Sequence, residues 1–124
     1  MRNKDFSIRL LVIPSRKDRN QGSVRATLRL RGDRRFNFTA KPRVNLHGIE
    51  RFDSTGRPFD VDNYDRQAYL VLRGIYMSLL DSVMELLYNA NIPPEQLTRA
   101  MIQRELNRFK TIWNTRFAKE GVEI

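Results

Sequence analysis

Between Ser23 and Arg31 the chain reads S-V-R-A-T-L-R-L-R, a strict two-residue alternation that suits a β-strand and few other backbones. Val24, Ala26, Leu28 and Leu30 fall on one side of such a strand, and Arg25, Thr27, Arg29 and Arg31 on the other. One face needs a core and the other needs water or an anion. Beyond Gly32-Asp33 the pattern resumes, with Phe36, Phe38 and Ala40 alternating against Arg35, Asn37 and Thr39. That predicts a hairpin whose second strand returns antiparallel. Arginines on neighbouring strands repel one another, so a surface that keeps them side by side is suited to a polyanion.

Charge is concentrated around this hairpin. The first 43 residues hold 13 Lys and Arg against three acids, Asp5, Asp18 and Asp33. Residues 1–62 balance at +8 and residues 63–124 at +1, giving the net +9 of the whole chain. Arg predominates, and its planar fork matches both phosphate and the guanine edge. Nucleic acid is therefore the leading partner, ahead of acidic lipid or an acidic protein. With 124 residues the chain is expected to form one α+β domain with its own core, needing no metal or disulfide support. It contains no Cys, which excludes thiol catalysis and Cys-based zinc sites and favours a reducing compartment. No apolar run, Leu10 to Ile13 included, approaches the roughly 20 residues that span a bilayer, so no membrane partner is expected.

Residues 6–13 make a further strand, with Ile8, Leu10 and Val12 on the apolar side and Arg9 opposite, ended by Pro14. A three-stranded antiparallel sheet over residues 6–40 follows. Between strands one and two, Ser15 to Gly22 reads as a polar loop whose Lys17 and Arg19 suit a phosphate backbone or simply solvent. Residues 41–62 lose periodicity, yet Val44, Leu46, Ile49, Phe52 and Phe59 are too apolar for a free linker, so this segment is expected to wrap back onto the sheet. From residue 63 to 119 the spacing turns helical. Ala68, Leu72, Ile75, Leu79, Val83 and Leu86 mark a first helix capped by Asp62, with Asp65 in support, and closed at Asn89 to Asn91. Pro94 opens a second, with Leu97, Met101, Leu106 and Phe109 as its stripe and Ile92 stapling against Leu97. Two packed helices would cover one face of the sheet.

No enzyme signature emerges. His47 is the only histidine and sits in a turn-like segment, where a hydrogen-bonded or exposed role is cheaper than metal ligation. Asp53, Asp60 and Asp62 suit turns and caps, and the scattered glycines form no phosphate-binding loop. Tyr64, Tyr69, Tyr76 and Tyr88 lie along the first helical stretch, where aromatics usually pack at the core or its edge. Phe36 and Phe38 share the apolar side with Leu28 and Leu30, which argues against base stacking on an RNA-binding sheet. No cofactor and no metal are expected.

The order of elements resembles the N-terminal arm-type DNA-binding domain of Bacteroidetes-type tyrosine recombinases, the integrases of phages and conjugative transposons. The similarity rests on the Phe6-Ser7 strand start, the basic loop, Val24-Arg25-Ala26-Thr27-Leu28, and the hairpin Arg31-Gly32-Asp33-Arg34-Arg35-Phe36-Asn37-Phe38-Thr39. It extends through Arg51-Phe52-Asp53-Ser54-Thr55-Gly56-Arg57 to a Pro-containing link, Ile92-Pro93-Pro94-Glu95-Gln96-Leu97, between two helices. Phe52 stands where that family usually has Trp. The family's second helical domain and its catalytic domain are not in this sequence, and His47 and Arg51 lack the spacing of its catalytic motif. The resemblance implies a non-catalytic module that lays its sheet in the major groove of double-stranded DNA. Arg9, Arg25, Thr27, Arg29, Arg31, Arg35, Asn37 and Thr39 would then face the duplex, with Lys17, Arg19, Lys41 and Arg43 on phosphates. Recombination or virion proteins are further candidate partners, and the bacterial cytoplasm or nucleoid is the expected location. The alternative is a phage or mobile-element accessory protein that uses the same face for protein or non-specific nucleic-acid contacts, with the virion as its location.

Overall fold

A computed structural model of the chain describes residues 5–17, 22–42 and 49–124. Three strands, β1 (Phe6–Pro14), β2 (Gly22–Leu30) and β3 (Arg34–Ala40), form one antiparallel sheet in the order β1-β2-β3. Two helices follow, α1 (Arg66–Met84) and α2 (Arg99–Arg116). The architecture is α+β, with an irregular segment between sheet and helices. The β2–β3 connection is the three-residue turn Arg31-Gly32-Asp33, in which Gly32 (φ 89°) and Asp33 (φ 63°) both take the left-handed conformation. A glycine and an aspartate adopt it at least cost, so the turn chemistry fixes the register. That register pairs Leu30 with Arg34 and Leu28 with Phe36.

Helix α1 lies across β1 and β2, and α2 packs alongside α1. The core gathers Phe6, Ile8, Val24, Ala26, Leu28, Leu30 and Phe38 from the sheet, with Val71, Leu72, Ile75, Leu79 and Val83 from α1. From α2 it takes Ile102 and Leu106, and Leu97 joins it from the preceding link. Gly74 lets the helices close. A Cβ there would collide with the Trp113 indole, so the aromatic ring occupies the space a side chain would need. Trp113 in turn packs against Phe117 in a tilted arrangement, 4.6 Å between ring centres.

The helix ends differ from the sequence expectation. Asp65, rather than Asp62, caps α1, its carboxylate accepting from the Ala68 amide at 3.0 Å, while Asp62 lies in the exposed turn before it. One wide turn, Glu85–Asn89, extends α1, and left-handed Asn91 (φ 55°) closes it. Pro94 opens only a single tight turn, Pro94–Gln96, and α2 itself starts after Thr98, whose hydroxyl accepts from the Met101 amide. Thr98 wins because its hydroxyl satisfies an orphan amide, which a proline cannot do. Within α2 the buried residues are Ile102 and Leu106, while Met101 and Phe109 stay partly exposed. Tyr88, expected at the core or its edge, is 44% exposed and donates its hydroxyl to Asp5 at 3.0 Å.

The segment before α1 does wrap back, though not with every apolar residue. Phe52 is buried and bridges to Pro58, and between them Asp53 organises a tight loop. One Asp53 carboxylate oxygen accepts from the Thr55 amide (2.8 Å), the Thr55 hydroxyl (2.7 Å) and the Arg57 amide (3.0 Å). Burial pushes the Asp53 carboxyl upward, but these bonds outweigh it and hold the group below its ordinary value. Gly56, left-handed at φ 77°, presses on the backbone of Leu72, where a side chain would not fit. Ser54 accepts from the Leu10 amide at 2.7 Å, and Arg73 donates to the Thr55 carbonyl. The loop thus closes the outer edge of β1. Phe59, by contrast, is 72% exposed, as is neighbouring Val61 at 70%. Val44, Leu46 and His47 lie outside the described residues.

Candidate nucleic-acid interface

Because β2 is central, the pairing on its two sides fixes which side chains stand together. On the face away from the helices, Ser7 opposes Arg29, which opposes Arg35. The next row is Arg9, Thr27 and Asn37, and the third is Leu11, Arg25 and Thr39. Arg9, Arg25, Arg29, Arg35, Asn37 and Thr39 are exposed, and Thr27 is half-buried among them. Between the first two rows lies a trough of about 330 Å³ lined by Ser7, Arg9, Leu11, Thr27, Arg29 and Arg35.

The polar groups on this face are pre-arranged. Thr27 donates its hydroxyl to the Asn37 side-chain oxygen at 2.8 Å, which orients the carboxamide and leaves its NH2 group to donate elsewhere. Arg29 and Arg35 stand directly opposite each other across the β2–β3 pair, a like-charge juxtaposition that costs stability. Among the described residues, the ion pairs are Arg66 with Glu120 and Arg108 with Glu85 and Glu105, all in the helical half. None neutralises Arg9, Arg25, Arg29 or Arg35. Hence four guanidinium groups, four hydroxyl or amide side chains and one leucine share a single open surface.

Other basic residues fall elsewhere. Arg31 is exposed in the turn rather than on the face of β2, because β2 ends at Leu30. Lys17 and Lys41 are exposed just beyond β1 and β3, at the sheet's margin. Arg19 and Arg43 lie outside the described residues. Arg34 occupies the helix-facing phase of β3, where it donates to the carbonyls of Pro94 (2.7 Å) and Leu97 (2.6 Å) and lies over the Phe36 ring. Arg99 likewise reaches β3 from α2, donating to the Asn37 carbonyl at 2.6 Å above the Phe38 ring. Both serve as ties between layers.

Sequence reasoning missed two members of the open face. Ser7 was legible, since it alternates with Phe6 and Ile8. Leu11 was hidden inside the run Leu10-Leu11-Val12-Ile13, in which alternation cannot be seen. Among the described residues no group of three or more His, Asp or Glu is arranged to hold a metal ion, and no helix is long and apolar enough to cross a membrane. No family model, curated protein or solved structure matches the chain.

Proposed function

We propose that this protein is a non-catalytic DNA-binding module that reads duplex DNA through the open face of its three-stranded sheet, as the arm-type domains of the tyrosine recombinases it resembles do. The observation that carries this reading is the cluster of Arg9, Arg25, Arg29 and Arg35 without a carboxylate partner among the described residues, interleaved with the oriented Thr27–Asn37 pair. Strand spacing of about 4.8 Å sets β1 and β3 roughly 10 Å apart, a width that a major groove of about 12 Å admits. Arginines suit guanine O6 and N7, and the Asn37 amide suits adenine. Lys17, Lys41, Arg19 and Arg43 would engage phosphates at the margins and set register. Such a module works at the host nucleoid or on packaged DNA, beside recombination or virion proteins.

Catalysis is not part of the proposal. Tyr64 and Tyr69 pack on each other at 5.2 Å between ring centres, Tyr76 lies under Arg73, and Tyr88 is engaged with Asp5. The test is titration of the protein with a selected duplex and with random competitor at several salt concentrations. Neutralising about four to six phosphates gives a log–log salt slope of roughly −4 to −5. Preference for one duplex supports the reader. Equal affinity for all sequences, or no DNA binding at all, supports the accessory protein instead, and failure to bind at low salt removes the reader.

A further inference from the structure

β1 breaks a rule that β2 and β3 obey. Along β2 and β3 every residue of the outward phase is polar, from Ser23 through Arg29 and from Arg35 through Thr39, whereas β1 places Leu11 and Ile13 there. Leu11 is 56% exposed, with Arg25 directly opposite it and Thr39 one strand further. It walls the same trough as Arg9, Arg29 and Arg35. Leu11, with the partly buried Ile13 on one side and Arg9 and Arg25 beside it, exposes too little apolar area for a protein interface, which needs a contiguous patch. It fits a small apolar group that sits immediately beside hydrogen-bond acceptors. In the major groove that description belongs to the C5-methyl of thymine, next to base-edge oxygens and N7 atoms.

We propose that Leu11 is a specificity residue that recognises a thymine methyl group. Two residues along a strand cover about 7 Å, or roughly two base-pair steps of 3.4 Å, so the thymine lies within about two base pairs of the base that Arg9 contacts. Arg25, one strand away, brackets the same position. The ligand is therefore duplex DNA carrying thymine at a fixed place beside an arginine-read base, rather than any polyanion of equal charge. This inference rests on the reading of the open face as a DNA reader.

The experiment starts from the duplex that the wild-type protein selects from a random pool. Each thymine in turn is replaced by deoxyuridine, which removes one methyl and leaves pairing intact, and affinity is measured by fluorescence anisotropy. Loss of one buried methyl corresponds to about a fourfold drop in affinity. Wild type should show that drop at one or two positions and none at the rest. Leu11→Ala should bind the thymine duplex about fourfold more weakly and no longer distinguish uracil there, while Leu11→Ile should retain the distinction. Because Leu11 is half out of the core, circular dichroism should report all three proteins equally folded. A selected duplex without thymine under the footprint, indifference of the wild type to every replacement, or an unchanged thymine-to-uracil ratio in Leu11→Ala overturns the assignment while the DNA reader stands. A wild-type protein that selects no duplex overturns the reader itself.

Discussion

Arg34 and Arg35 are neighbours in sequence and stand on opposite faces of one strand, and their surroundings differ as much as two arginines can. Arg34 is half-buried, spends its guanidinium on two carbonyls of the link before α2 and shields the Phe36 ring. Arg35 is exposed and faces Arg29 across the sheet. The same contrast runs through the whole sheet. The helix-facing side is closed by burial and by backbone ties, whereas the open side accumulates like charge without any packing gain. Residue type therefore does not decide what an arginine does here; the phase of the strand does. On the proposed function, the counter-charge for this face would come from the phosphates of bound DNA.

The largest effect expected from breaking this contrast lies on the closed side. Leu28 is fully buried at the centre of β2, so Leu28→Ala should cost about 2–5 kcal/mol through lost transfer energy and a residual cavity, read from urea unfolding. The molecules that remain folded should keep wild-type DNA affinity. Next comes the arginine pair. Arg34→Ala strands the Leu97 carbonyl in a half-buried seam, leaves the Pro94 carbonyl only its bond from the Leu97 amide, and should cost about 1.5–3 kcal/mol, with little effect on DNA binding once folded. Arg35→Ala should move stability by no more than about 0.5 kcal/mol, yet reduce DNA affinity and shift the salt slope by about one. If both variants changed stability and binding alike, the division of labour between the faces would not hold.

Much of this contrast is legible in the sequence because β2 and β3 alternate cleanly: Val24 to Leu30 and Arg35 to Thr39 each announce their face. Where alternation lapses, legibility lapses too. Four apolar residues in a row at Leu10 to Ile13 say only that a strand is present, and not that Leu11 points outward. Arg34 looks like one more member of a basic run, since its role depends on carbonyls 60 and 63 residues away. Likewise Gly74 carries no local sign that Trp113 needs its space, and Pro94 imitates a helix start that Thr98 makes. Long-range contacts of this kind have no periodicity to betray them.

The outer edge of β1 offers a smaller test. Asp53 ties the loop that covers this edge, and its carboxyl is held below the ordinary value of 3.8 because the bonds from Thr55 and Arg57 outweigh the upward push of burial. A lowered folded-state pKa contributes stability that is present in full well above 3.8 and is lost as the pH falls through and below that value. Asp53→Ala should therefore cost about 1 kcal/mol at neutral pH, where three accepted bonds disappear, and progressively less in acid. Thermal melts of both proteins across the acid range check it. A constant gap between them would show that the charge contributes nothing.

The smallest effect should have the opposite sign. Arg29 opposes Arg35 across β2 and β3 with no carboxylate between them, and cross-strand pairs of this kind are worth about 0.2–1 kcal/mol in either direction. Arg29→Thr relieves the repulsion and substitutes a residue of good strand propensity, so the free protein should become more stable by roughly that amount while losing DNA affinity. Salt separates this from a general propensity effect. Screening weakens repulsion between exposed charges, so raising ionic strength should stabilise the wild type more than the variant and narrow the gap. Urea midpoints at low and high salt measure both quantities. If Arg29→Thr were destabilising at every salt concentration, the aliphatic stem of Arg29 would be acting as cover for the sheet, and the open face would be part of the fold's own packing rather than a surface held ready for a polyanion.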